Sequence, residues 1–245
     1  TSSTSANVMT VKRASLGVSI GETPQNQNVV RGINSFLFSK VVYDAGASGE
    51  DLRITKQELT ITPAGAASDM DFLNSCQMFD GSVALNTGGN VVNPSGNAVA
   101  TAAEGSFTFD SHLIVPKGTV KTIDVKCNIS GSPAANETYR IGIADTNDDT
   151  VVTGKDTAVA VVEAVTLNTG PIMTIQTSGS LAVSEDTTSS KSERFGIAGK
   201  TDITTSVFKL EANYEAIKLS KFGISLSSST ASTSAVTKVT LWDGA

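Results

Sequence analysis

Glu215-Ala-Ile-Lys-Leu-Ser-Lys221 has a counterpart far upstream in Glu50-Asp-Leu-Arg-Ile-Thr-Lys56, with the same acid, the same apolar spacing and the same basic end. The offset from Glu50 to Glu215 is 165 residues. At that offset Ala47 meets Ala212, Tyr43 meets Phe208, and Ser15-Leu-Gly-Val-Ser19 meets Ser180-Leu-Ala-Val-Ser184. A drift of one residue brings Val8-Met-Thr-Val11 onto Ile172-Met-Thr-Ile175, and a drift of two brings Phe79-Asp-Gly81 onto Trp242-Asp-Gly244. Landmarks that recur in one order define an internal repeat, and a repeat decides the architecture before any local reading does. On this division residues 1–6 are a linker or processed end. Residues 7–170 form a complete copy, and residues 171–245 form the first half of a second copy that another segment or chain completes.

Composition narrows the class. Of the 245 residues 39% are hydrophobic, enough for a core, but only 5% are aromatic. Val, Ile, Leu and Ala therefore build that core, and the abundance of Ser, Thr, Gly and Val favours strands over helices. A net charge of −6 offers no basic surface for phosphate, which argues against nucleic acid as a partner. No run of 18 apolar residues occurs, so no spanning helix is expected. The chain begins at Thr1 without an initiating Met, as a processed or excised product does.

Period-two alternation marks the strands. It is seen at 8–11, 16–20 and 121–129, and further strands are read at 36–43, 52–61, 72–79, 83–85, 106–109, 113–115, 139–143 and 158–165. In 52–61 the inward beats pass from Leu52 and Ile54 to Leu59 and Ile61, so a bulge is expected near Lys56-Gln57. Asp80-Gly81 suits a tight hairpin turn. In the second copy Ile217, Leu219, Phe222, Ile224 and Leu226 repeat the alternation. Leu167-Asn-Thr-Gly-Pro171 reads as the boundary between copies. Many short strands between turn signals, with no helical period, predict an all-β protein of antiparallel β-sandwiches.

Two segments carry a resemblance. Phe208-Lys-Leu-Glu-Ala212 with Glu215-Ala-Ile-Lys-Leu219 and Val239-Thr-Leu-Trp-Asp-Gly244 resembles the tandem Ig-like modules of large prokaryotic cell-surface proteins. Val115-Pro-Lys-Gly-Thr-Val-Lys-Thr-Ile-Asp-Val125 is similar to a strand entry of the same modules. The resemblance implies tandem Ig-like β-sandwiches in a surface-layer, stalk or filament setting.

Little in the sequence speaks for chemistry. Asp145, Asn147, Asp148 and Asp149 gather oxygen ligands in one loop, as a calcium site does, but without the closing Glu of an EF-hand. A solvated turn is the simpler account. Asn128-Ile-Ser130 and Asn136-Glu-Thr138 fit the N-glycosylation rule, which makes Asn128 and Asn136 candidate acceptors. Cys76 and Cys127 are a disulfide candidate in an oxidising compartment and reduced thiols in the cytosol. His112 beside Ser111 and Asp110 forms no triad, because neighbours on a strand point to opposite faces. Glu50-Asp51 reads as a strand start rather than a hydrolytic acid pair, and Lys117-Gly-Thr119 lacks the glycines of a phosphate loop. Phe79 and Trp242, each ahead of Asp-Gly, are expected to plug the core.

These readings point to a non-enzymatic, extracellular structural protein that self-associates or pairs with neighbouring copies of itself, with no cofactor beyond the calcium candidate. The alternative is an adhesin or glycan-binding module using the loops at 86–104 and 144–150, although those loops carry no aromatic residue on which a sugar could stack.

Overall fold

The computed structural model of the chain describes residues 7, 9–65, 69–95, 102–144, 150–189, 199–225 and 236–243. Among them the fold is nearly all β, with two short 3-10 turns and no α-helix. In chain order the strands are β1 (Leu16–Ile20), β2 (Gln27–Val30), β3 (Phe36–Asp44), β4 (Leu52–Ala64), β5 (Leu73–Asp80) and β6 (Val83–Ala84). They continue as β7 (Ala103–Val115), β8 (Val120–Ile129), β9 (Thr138–Gly142), β10 (Thr150–Gly154), β11 (Glu163–Val165) and β12 (Met173–Gln176). Two more, β13 (Ser180–Glu185) and β14 (Phe208–Asn213), pair only with each other.

Strands β1 to β12 make two six-stranded sheets. One runs β11-β1-β3-β8-β5-β6, and the other β10-β4-β9-β12-β2 with β7 on β4. Alternation is the cause. Leu16, Val18 and Ile20 of β1 are buried while Gly17 and Ser19 are half-buried, and Ile123, Val125, Cys127 and Ile129 of β8 do the same. Both inner faces feed one hydrophobic cluster, with Phe38, Val41 and Tyr43 from the first sheet and Leu52, Ile54, Leu59, Ile61, Phe107 and Ile141 from the second. In β4 the register slips between Ile54 and Lys56. Leu52 and Ile54 face inward before the slip, and Gln57, Leu59 and Ile61 after it, which is the phase change that a bulge absorbs.

Several local expectations are corrected. Met9 to Val11 form no strand. The expected strands at 106–109 and 113–115 join as the single β7, with Asp110, Ser111 and His112 thrown outward where its register on β4 breaks. Strands β2 and β10 were not expected, since each offers only four or five residues of pattern. Of 158–165 only β11 is a strand. No strand forms among the described residues 217–225. The sheets are also mixed rather than purely antiparallel: β1–β11 and β12–β2 run parallel. Late strands have come back beside early ones, which needs long connections instead of hairpins.

The second sheet depends on the latest of these. Strand β12 lies between β9, antiparallel, and β2, parallel. Gln27 N donates to Ile172 O and Arg31 N to Gln176 O on one side; Ile175 N donates to Glu137 O and Asn136 N to Ile175 O on the other. Met173 and Ile175 are fully buried. Among the described residues β2 has no strand partner but β12. The connection that delivers β12 is the stretch expected to separate the copies. Asn168 exchanges two backbone hydrogen bonds with Ile143. Gly170 sits at φ +80° against Ile141, and a side chain on Gly142 would strike the backbone of Asn168 and Thr169. The two-sheet body therefore extends through Gln176 instead of ending at 170.

Cys76 and Cys127, on neighbouring strands β5 and β8, are joined as a disulfide with Cα atoms 4.0 Å apart. Cross-linking residues separated by 51 positions removes entropy mainly from the unfolded chain. The Cys76→Ala/Cys127→Ala variant is expected to lose about 2–4 kcal/mol in urea unfolding. Met173→Ala or Ile175→Ala is expected to cost about 2–5 kcal/mol by cavity formation. Met9→Ala and Val11→Ala, at exposed positions, should stay within about 0.5 kcal/mol in the same assay.

Candidate assembly interface

Beyond β12 the described residues build an apolar face with no second layer among them. Strands β13 and β14 pair antiparallel from Ser180 opposite Asn213 to Glu185 opposite Phe208. Asp186 N donates to Val207 O at the open end. At the other end Glu215 Oε1 accepts from Gly179 N at 2.9 Å, which ties the following segment to the start of β13. Farther along that segment the Phe222 ring lies 5.4 Å from the Phe208 ring of β14.

Leu181, Val183, Phe208, Leu219, Phe222 and Ile224 line one shallow apolar depression, and Phe222 and Ile224 share a second with Val239 and Leu241. Their exposure is the telling quantity. Val183 is 50% exposed, Ile224 45% and Leu219 43%. Singly exposed apolar side chains are ordinary, but a contiguous apolar face marks a surface that another element covers. The polar rim is modest: Lys209 pairs with Glu211 at 2.9 Å, which raises the Lys209 pKa.

The other sequence candidates fall into structural roles. Glu50 accepts hydrogen bonds from the Thr157 hydroxyl at 2.7 Å, from Thr157 N at 3.0 Å and from Asp156 N at 2.9 Å. Asp51 accepts from Lys117 N at 3.0 Å and from Lys155 Nζ at 3.1 Å. The adjacent acids thus clamp two different turns. The Thr157 bonds hold Glu50 below the usual carboxylate range, and the Lys117 amide, then Lys155, hold Asp51 below it. Asp110 accepts from Thr87 and from Asn90, which keep its carboxyl low. His112 is exposed.

Asn128 is half-buried on β8, with its Oδ1 taking Ser35 N and its Nδ2 reaching Asn74, so its acceptor nitrogen is already engaged. Asn136 is exposed in a turn at φ 68° and is the more reachable acceptor. Phe79 is half-buried with Lys126 Nζ 4.8 Å above its ring, and Trp242 is 77% exposed, so neither plugs the core. Met78, one position earlier, is the buried side chain, because alternation puts Phe79 on the outer face.

The loop after β6 is pinned, with Asn86 buried and bonded to Met78 N, Cys76 O and Asn90 O. Its remainder at 96–101, and Asp145, Asn147, Asp148 and Asp149 of the calcium candidate, lie outside the described residues. Among the described residues no group of three or more His, Cys, Asp or Glu is placed to hold a metal, and no helix is long and apolar enough to cross a membrane.

The lowered carboxylates set a direction for pH dependence. A carboxyl whose folded pKa is depressed adds stability above its unfolded value, and that stability is lost as pH falls through the folded value. The ordinary values here are 4.5 for Glu50 and 3.8 for Asp51. Urea unfolding at pH 7 and pH 3 should show the unaltered chain losing more stability between the two than Glu50→Gln/Asp51→Asn does. Equal losses would exclude the clamps as the cause. No protein-family model matches this chain, and no curated protein matches it.

Proposed function

We propose that this chain is a non-enzymatic structural protein of an extracellular surface layer or filament, built of tandem Ig-like β-sandwich repeats that complete one another. One observation carries the reading: residues of an exposed apolar face after Gln176 match, in sequence, residues that form the closed core before it. Leu181 and Val183 correspond to Leu16 and Val18, and Ile217 and Leu219 to Leu52 and Ile54. The first member of each pair is exposed and the second buried.

The pairing register of the second hairpin shifts the correspondence by two residues in β14. Val18 faces Tyr43 across β1–β3, and Val183 faces Leu210 across β13–β14. On this register Leu210, not Phe208, stands in the place of Tyr43. Asp44-Ala-Gly46 then matches Glu211-Ala-Asn213, and the shorter connection to Glu215 takes up the two residues. The acid recurs in kind as well. Glu50 and Glu215 each accept a backbone amide from a neighbouring turn.

In the two-sheet body, β8 covers the edge of β3, and β7 and β9 flank β4. The face made by β13, β14 and residues 217–224 calls for strands of the same kind, from the same polypeptide or from a neighbouring copy. An exposed strand edge templates such pairing. Head-to-tail completion does not close on itself, so it yields a filament or lattice. The Cys76–Cys127 disulfide suits an oxidising, extracellular setting.

Light scattering after size-exclusion chromatography, with electron microscopy of the leading fractions, tests the reading. The 25.2 kDa chain should form larger species that grow with concentration. Val183→Asp/Leu219→Asp should return it to monomer while leaving the urea unfolding of the disulfide-bonded body unchanged. A monomer at every concentration, with Ser180–Glu185 amides as protected from exchange as those of Phe36–Asp44, would overturn it.

A further inference from the structure

We propose that Val8-Met-Thr-Val11 is a donor strand that enters the slot between β2 and β9 of another copy of this repeat. The inference rests on the repeat reading above and adds the strand and the seat through which copies join. Ile172-Met-Thr-Ile175 is the counterpart of Val8-Met-Thr-Val11, differing only by Val for Ile at both ends. The downstream version is an interior strand of a body made from the copy before it, with Met173 and Ile175 each 0% exposed. The upstream version has the same chemistry and no seat: Met9 is 89% exposed and Val11 94%. Met9 and Val11, which match the buried Met173 and Ile175 of a core strand yet stand in water beside a structured body, point to a socket elsewhere.

The connections agree. Only Thr177, Ser178 and Gly179 lie between β12 and β13, so the strand that finishes one body leads almost directly into the first strand of the next copy. Val11 likewise precedes β1 by four residues. Gly49 N donates to Arg13 O at 2.9 Å, and a side chain on Gly49 would strike Lys12 O. The donor therefore leaves its own body at a fixed point, pinned just past its end. The socket is specific as well. Pairing to β2 is parallel and to β9 antiparallel, so the donor enters in one direction, and a slip of one residue would turn Met9 and Val11 outward. Each repeat is on this account closed by the first strand of another, and covalent order and structural units are offset by one strand.

The test vacates the socket in the full chain. Met173→Asp/Ile175→Asp expels the resident strand and leaves one socket and one donor per molecule. A fluorescent peptide of residues 7–15 should bind this variant saturably and raise its thermal midpoint. The same peptide carrying Met9→Asp and Val11→Asp should bind at least about 100-fold more weakly, since two buried apolar side chains are lost. Without peptide the variant should associate head to tail beyond the unaltered chain, and adding Met9→Asp/Val11→Asp to it should abolish that excess. Should the aspartate pair prevent folding, Met173→Ala/Ile175→Ala loosens the strand more gently and is used with the same peptides. Peptide binding to neither variant, or binding indifferent to Met9 and Val11, overturns the proposal. Peptide capture by a chain that otherwise stays monomeric would leave the donor strand standing and remove the filament reading, whereas assembly of the unaltered chain without peptide capture would do the reverse.

Discussion

A strand inside a sheet has to satisfy two rows of backbone groups and cover both of its faces, and β12 is where this chain meets that demand most narrowly. Four residues bridge β9 to β2, and their two inward side chains fill the base of the core. Without them β2 would keep no ladder among the described residues, and the core would lose the fully buried Met173 and Ile175 side chains in an interior too densely packed to close over the void. The tight approach of Gly142 to the chain at 168–170 fits this economy. It brings the connection against β9 at a place where any side chain would hold it off.

The rest of the body is a frame around that joint. Tyr43 Oη donates to Gln57 Oε1 at 2.9 Å, and Thr150 Oγ1 donates to the same oxygen at 2.8 Å, so one buried amide links β3, β4 and β10. Burial pushes the Tyr43 phenol up, away from ionisation. A buried polar group is stable only when it is bonded, and a network of three fixes the facing of the two sheets more sharply than apolar contact alone. Outside, Glu50 and Asp51 tie two turns to the start of β4, and the disulfide ties β5 to β8. These ties hold the first body rigid. After Gln176 the described ties are the β13–β14 ladder, the Asp186–Val207 and Glu215–Gly179 bonds, the Lys209–Glu211 pair and the Phe208–Phe222 contact.

How much of this was legible in the sequence follows from the range of each interaction. Alternation in Leu16–Ile20, Phe36–Asp44 and Val120–Ile129 is local and strong, so those strands could be read directly, as could the bulge in Leu52–Ala64 and the turn at Asp80-Gly81. Gln27–Val30 could not. It carries one buried residue, Val29, and is a strand only because a segment nearly 150 positions away lies beside it. Leu167–Pro171 reads as a linker from composition, yet it packs into the body through backbone contacts that no residue type announces. The outward Phe79 shows the converse error. An aromatic ahead of Asp-Gly suggested a core plug, but the phase of β5 had already committed Met78 to the core. For the apolar face, the repeat located the residues, and only their exposure showed that they form an open surface.

If each core is divided between consecutive copies, as proposed above, the chain gains a mechanical property. In a repeat protein stability is close to a sum of intrinsic unit terms and nearest-neighbour terms. If the closing strand of each unit belongs covalently to the next, the neighbour term is no longer a surface contact added to finished domains. It becomes part of each core, and a unit without its neighbour lacks a strand as well as an interface. Pulling on such a chain loads hydrogen bonds along β12 in shear before any copy is exposed, since β12 pairs lengthwise with both β9 and β2. On the reading proposed above, a fibre of such copies draws its resistance from backbone ladders, which fits a chain with only 5% aromatic residues.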